Sequence, residues 1–279
     1  MSDISKKIDE LLRQVESLGS CAVAFSGGVD SAVMAAAAHR ALGNRAFAVT
    51  ADSPSLPDGE LQAAIELATQ IGIRHQIVKT DEMGSEAYRA NAPDRCYHCK
   101  SELYDRMEIF AQEGFDHVVN GTNADDLQDY RPGLTAATEH SVVSPLADCG
   151  ITKSDVREIA KEWGLPVWDK PAGPCLSSRV AYGEEVTPEK LKMIDQSEAW
   201  LRARGFTQVR VRYHAGALAR VEVPADQLVA LFKLRQELSS ALRSYGFRLV
   251  TIDAEGFRSG SLNSVVSLDL SFASKSRPR

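Results

Sequence analysis

Two rhythms of apolar and polar positions alternate along the first half of the chain. Short continuous apolar runs, CAVAF at 21–25 and RAFAVTA at 45–51, have the character of strands buried on both faces. IRHQIV at 73–78 alternates more, and DHVVNGT at 116–122 supplies a fourth run. Between them the period is helical: Ile4, Ile8, Leu11, Leu12 and Val15, then SAVMAAAAHRAL from Ser31, then DGELQAAIELATQIG at 58–72. Strands alternating with helices predict an α/β fold, a parallel sheet with helices on both faces. A fifth short strand is expected near Ser141 to Ser144, and TKSDVREIAKEWG at 152–164 reads as a capped helix closed by Gly164.

The rhythm breaks at LPVWDKPAGPCLSSRVAYGEEVT (165–187), which has no clear period and reads as a long loop or hinge. Beyond it the pattern runs helix (188–204), strand (208–214), strand (217–223), helix (224–245) and strand (248–254). That order predicts a smaller C-terminal α/β domain with a mostly antiparallel sheet. The expected division is 1–170, a loop or hinge at 171–187 that carries chemistry, and 188–279. No internal repeat is present, and the SKSRPR tail is expected to fray.

At 279 residues, 44% hydrophobic and 25% charged, the composition is that of a globular chain of about two domains, which excludes a disordered one. Lys and Arg number 32 against 38 Asp and Glu, a net charge of −6 that argues against a general nucleic-acid coat. Neither a signal peptide nor an apolar run long enough for a membrane is seen, so a soluble cytoplasmic protein is expected. In that compartment cysteines stay reduced, and close pairs read as metal or redox sites.

SGGVDS (26–31) sits where a buried strand turns into a helix. Gly27 and Gly28 let backbone N–H groups approach an anion, because no Cβ intervenes. The helix that begins near Asp30 and Ser31 adds unpaired N–H groups and the positive end of its dipole. Ser26 and Ser31 contribute hydroxyls, and Asp30 beside a phosphate calls for a cation between them, assigned to Mg²⁺. The plain alternative is a Gly-Gly turn capped by serine. This is not a Walker loop, whose Gly-Lys-Ser end is missing. Thr50, Ala51 and Ser53 follow the second strand, and Gly121 and Thr122 the fourth. Each pair of strand ends alone is an ordinary turn; together they outline a nucleotide pocket.

Cys96 and Cys99 form a C-x-x-C at the start of a helical segment, and Cys175 lies in the 165–187 loop. Arg95, Lys100 and Arg179 lie near them in sequence and favour thiolates. A zinc ion with His98 or Cys149 as a fourth ligand, a redox disulfide, a [4Fe–4S] cluster on three cysteines, and Cys175 acting alone all remain open. Cys21 opens a buried strand and reads as core. Cys149 has no neighbours in sequence that suggest a role.

SGGVDS resembles the pyrophosphate loop of the N-type ATP pyrophosphatases, which implies a Rossmann-like, adenine nucleotide α-hydrolase-like fold and ATP cleavage between the α and β phosphates. With PCLSSRVAYGEEVT and RVRYHAGALARVEV added, the chain resembles over nearly its whole length the LarE family of ATP-dependent sulfur transferases. The resemblance implies a pyridinium mononucleotide with two carboxylates as substrate, adenylation by ATP, and sulfur installed as AMP leaves. In one branch the cysteine matching Cys175 gives up its own sulfur. Cys96 and Cys99 resemble the other branch, in which three cysteines hold a [4Fe–4S] cluster and Cys175 survives each turnover. The resemblance also implies a homo-oligomer and leaves the sulfide donor open.

Arg210 and Arg212 share one face of a strand by two-residue alternation and are expected to clamp the substrate's phosphate or carboxylates. A solvated strand face is the alternative, and Glu222 on the next strand is placed to pair with one of them. Ser177 and Arg179 are expected beside the reacting centre, with Arg179 and Asp30 joining Cys175 as catalytic residues and Glu184 and Glu185 as weaker candidates. The rival readings are a tRNA thiolase, against which the acidic charge counts, and a nucleotide or cluster sensor, which leaves the Ser and Asp of SGGVDS unexplained.

Overall fold

The computed structural model describes residues 3–110, 114–128, 132–171 and 173–258. Contacts divide the chain into two units. The first comprises residues up to Tyr88 together with Asp94–Pro174; the second comprises Arg89–Pro93 and the chain from Cys175 onward. Among the described residues no helix is long and apolar enough to cross a membrane. The SKSRPR tail lies outside the described residues.

The first unit is built on four parallel strands: β1 (Cys21–Ala24), β2 (Ala46–Asp52), β3 (Arg74–Lys79) and β4 (His117–Val119), in the order β3-β2-β1-β4. Cys21 lies opposite both Ala46 and His117, so β1 is central. Its side chains alternate between two cores. Cys21 and Val23 pack with Leu11, Val33, Leu67 and Ile159 from the helices Asp3–Ser17, Val29–Leu42, Glu60–Ile71 and Lys153–Glu162. Ala22 and Ala24 pack on the other face with Phe47, Tyr104, Met107 and Phe110. Both faces are covered, which is why β1 reads as a continuous apolar run.

The helix Val29–Leu42 is buried over almost its whole surface, since its alanines let neighbouring helices and strands come close. The expected fifth strand is reduced to one parallel bridge, Val143 to Val119. Thr152 caps the helix Lys153–Glu162 in a reciprocal capping box with Asp155.

In the second unit β5 (Arg210–His214), β6 (Leu218–Glu222) and β7 (Leu249–Ile252) form a sheet in that order. β5 and β6 are antiparallel, joined by a tight turn; β6 and β7 are parallel. The mostly antiparallel sheet expected from sequence is therefore mixed, because β7 returns through a helical crossover, and crossovers make parallel neighbours. That crossover is not one helix but two, Leu228–Lys233 and Arg235–Ser244, broken at Leu234. The helix Pro188–Arg202 starts at Thr187, which accepts a hydrogen bond from the Lys190 amide at 3.3 Å.

The segment Arg89–Pro93 belongs to this unit through Asn91, which is fully buried with φ of 54°. Its Nδ2 lies 3.2, 2.8 and 3.0 Å from the carbonyl oxygens of Val180, Ala181 and Glu184. Asparagine tolerates the left-handed region better than most residues. The Val186 amide donates to the Arg89 carbonyl at 2.9 Å, which extends the same seam.

Candidate active site

The phosphate loop follows β1. Gly27 has φ of +70°, and a Cβ there would sit 3.3 Å from that of Ala64. Gly28 precedes the helix Val29–Leu42. The Ser31 hydroxyl donates to the Gly28 carbonyl at 3.0 Å and accepts from the Ser26 amide at 3.2 Å. Ser31 is buried and shapes the loop from within, whereas Ser26 is exposed. Gly121, at the end of β4, approaches so closely that a Cβ would meet the Ser31 nitrogen at 2.7 Å and the Asp30 carbonyl carbon at 2.8 Å. Both obstacles are backbone, so only glycine fits.

Asp30 carries the charge of the loop and is held from two sides. Asn123 donates to its Oδ1 at 3.0 Å, and the Lys153 ammonium closes a short ion pair on its Oδ2. Lys153 thus places a positive charge beside Asp30 that belongs to the protein itself. Lys153 occupies the first turn of the helix Lys153–Glu162, and its amide donates to Asp125 at 2.8 Å. Sequence reading missed it because it lies 123 positions from Asp30. The signal was the capped helix TKSDVRE, whose N-terminus brings Lys153 to the loop.

The remaining nucleotide candidates differ in their surroundings. Thr50 is buried; its hydroxyl donates to the Phe25 carbonyl at 2.7 Å and meets His75 Nε2 at 2.8 Å. Burial pushes the His75 pKa down, so this imidazole is neutral at pH 7. Ala51 is half-buried. The Ser53 hydroxyl donates to the buried Glu82 carboxylate and accepts from the Ser55 amide at 3.0 Å. The Thr122 amide donates to Asn120 Oδ1 at 3.0 Å.

Cys96 and Cys99 lie in the first turns of the helix Arg95–Glu108, one exposed and the other half-buried. Cys21, read as core, has its pKa pushed up to about 12 by burial. Cys149 is raised to about 11 by burial and then by Glu10 and Asp148, and its thiol contacts Gln14 Oε1 at 2.7 Å. Burial holds both as neutral thiols, Cys149 beside Gln14 and two acidic neighbours.

In the second unit Cys175 is half-buried and precedes the short turn Leu176–Arg179. Ser177 is fully buried and Arg179 almost so. Arg179 pairs with Glu198, its Nε 3.0 Å from Oε1 and its Nη2 3.2 Å from Oε2. Arg212 pairs with Glu222 at 2.9 Å, the partner foreseen on the neighbouring strand. Arg210, half-buried on the same strand face, donates to the Val209 carbonyl at 2.7 Å. Burial first, and then the Arg179 charge, depress its pKa to about 10, against the pull of Glu198 and Glu222. Glu184 pairs with Lys190 and Glu185 with Arg89, at 3.2 and 3.3 Å. Glu198 escaped sequence reading altogether, because a glutamate in an amphipathic helix reads as solvated.

A parallel sheet with a Ser-Gly-Gly turn at its carboxyl edge, an aspartate in that turn and a lysine against it defines an ATP-pyrophosphatase-type nucleotide domain. Residues 1–130 match the NAD synthase family model. Over 96% of this chain and 97% of the relative, the sequence is 35% identical to pyridinium-3,5-bisthiocarboxylic acid mononucleotide synthase of Lactiplantibacillus plantarum. It is 46% identical to an uncharacterised protein of Synechocystis over 95% of this chain and 99% of that one. A shorter match, 30% identical over 70% of this chain and 67% of the relative, is to one component of the glutamine-hydrolysing GMP synthase of Pyrococcus furiosus. The chain belongs to the LarE family of ATP-using sulfur transferases, and it is an enzyme.

Proposed function

We propose that this enzyme adenylates a carboxylate of pyridinium-3,5-biscarboxylic acid mononucleotide and converts it to a thiocarboxylate. The carboxylate oxygen attacks the α-phosphorus of ATP and pyrophosphate leaves; sulfur then attacks the acyl carbon and AMP leaves. Adenylation is needed because a carboxylate is a poor electrophile. The observation that carries the reading is the phosphate loop, closed by Gly121 and charged by Asp30 and Lys153, in a chain 35% identical to the L. plantarum synthase along its length.

Ser26, Gly27, Gly28 and Ser31 cradle the departing pyrophosphate at the helix N-terminus. Asp30 takes the Mg²⁺ that accompanies ATP, which releases Lys153 to the phosphate oxygens. Thr50, Ala51, Ser53, Gly121 and Thr122 frame the nucleoside side. Arg210, half-buried on the strand beside Arg212, receives an anionic group of the mononucleotide, a pairing that offsets the cost of burying its charge. Ser177 lies in the turn beside Cys175, where the acyl group is expected.

Cys96, Cys99 and Cys175 suit a [4Fe–4S] cluster: three thiols, with the two other cysteines held protonated. When bound, such a cluster supplies sulfur as sulfide at the iron that lacks a cysteine. The assembly is proposed to be a homo-oligomer acting on this small molecule in the cytoplasm, without nucleic acid or membrane.

Iron and acid-labile sulfide analysis of protein purified under argon tests the cluster; about four irons per chain are expected. Colourless protein holding one zinc overturns it. Pyrophosphate release tests the substrate: it is expected to require the pyridinium mononucleotide, and release that requires tRNA overturns that assignment.

A further inference from the structure

We infer that two buried arginine–glutamate pairs, Arg179–Glu198 and Arg212–Glu222, are positioning devices that hold the turn carrying Cys175. The inference deepens the proposed function and rests on its assignment of Cys175 to the trio that holds the transferred sulfur. The members of each pair are nearly sealed from water, with side-chain exposures of 3% and 1% in one pair and 7% and 0% in the other.

In each pair one edge of the guanidinium faces the carboxylate and the other reaches the turn. Arg179 spends Nε and Nη2 on Glu198, while its Nη1 donates to the Cys175 carbonyl at 2.9 Å and to Ser178 Oγ at 3.1 Å. Arg212 spends Nε and Nη2 on Glu222 Oε2, at 3.1 and 2.9 Å, while its Nη1 donates to the Ser178 carbonyl at 3.1 Å. The Ser178 hydroxyl donates to the Cys175 carbonyl at 2.7 Å, which closes the turn on itself.

The carboxylates are fixed in their own right. Glu198, on the helix Pro188–Arg202, accepts from the Val211 amide at 3.1 Å, and Glu222 also pairs with Arg220 at 3.1 Å. Helix, β5 and β6 therefore converge through two rigid forks on the carbonyls of residues 175 and 178. A fork of this kind sets orientation as well as charge, and lysine does not reproduce it. Arg179 and Arg212 are neutralised by their own glutamates and hold the turn with their remaining nitrogens. The sulfur that Cys175 helps to hold must face one acyl carbon, and an error of about 1 Å in such a placement costs about 100-fold.

The test uses full-length Glu222→Gln, with Arg212→Lys as the variant that keeps the charge should the first not fold. Thiocarboxylate formed per pyrophosphate released is expected to fall at least about tenfold. The KM for the mononucleotide in pyrophosphate release stays within about twofold of wild type, as uniform binding is untouched. A raised KM with an unchanged ratio shows that Arg212 binds substrate and overturns the inference. A second readout does not depend on the proposed substrate. In the reduced full chain, iodoacetamide should alkylate Cys175 at least about threefold faster in the variant, with the exposed Cys96 as internal reference, because the turn opens locally. An unchanged alkylation rate overturns the inference. If wild-type protein makes no thiocarboxylate, the functional reading fails and alkylation alone decides the positioning role.

Discussion

The phosphate loop and the Cys175 turn place their reactive groups by opposite means. The loop relies on the absence of side chains: Gly27 takes a positive φ, and Gly121 sits where any Cβ would strike the backbone of Asp30 and Ser31. The turn relies on large charged side chains, Arg179 and Arg212, which reach its carbonyls from buried ion pairs. A loop made for phosphate offers its own N–H groups, so the neighbouring side chains must be small. A turn made to present a thiol has its carbonyls to satisfy, and arginine forks do so while fixing direction.

The largest effect is expected where the two regions must cooperate. Cys96→Ala should abolish sulfur transfer while leaving mononucleotide-dependent pyrophosphate release, read by parallel assays of the two products. Unimpaired transfer would point to Cys175 giving up its own sulfur instead. Next comes Gly121→Ala, which should lower kcat/KM for pyrophosphate release about 100-fold through the clash with Ser31 and Asp30. Wild-type kinetics in that variant would show that the loop does not need the close approach.

Asn91→Ala should destabilise the second unit by about 2–3 kcal/mol, because three carbonyls lose a buried donor. Urea titration measures it, and an unchanged midpoint would mean that water replaces the amide. The smallest effect concerns Cys21, whose thiol is raised from 9.0 to about 12 in the fold. Below pH 9 the thiol is neutral in both states and the full stability is present. Between pH 9 and 12 only the unfolded chain ionises, so stability declines as pH rises. Cys21→Ala should flatten the fall in unfolding free energy, read from urea titrations between pH 9 and 10.5, by about 1 kcal/mol per pH unit. An identical slope in wild type and variant would contradict the assignment.

The same contrast separates what was legible in the sequence from what was not. β1, β2 and the alanine-rich helix Val29–Leu42 were legible because burial on both faces leaves an unbroken apolar run. SGGVDS was legible because its chemistry is local: six consecutive residues at a strand-to-helix junction. Residues 175–187 showed no period, since their order comes from Asn91, Arg212 and Glu198, all distant in sequence. Arg210 and Arg212 were read correctly as sharing a strand face, yet alternation says nothing about which of them meets a glutamate. Lys153 illustrates the same limit, because pairing between a loop and a helix across 123 positions leaves no periodic trace.

The central claim is that this chain replaces a carboxylate oxygen of the pyridinium mononucleotide with sulfur at the expense of ATP. The most direct measurement incubates the full chain under argon with ATP, Mg²⁺, sulfide and the mononucleotide, and follows the mononucleotide by mass spectrometry. The account predicts exchange of one carboxylate oxygen for sulfur, with AMP and pyrophosphate appearing in step with it. Pyrophosphate formed while the mononucleotide gains no sulfur, or formed only when tRNA is supplied, would contradict it.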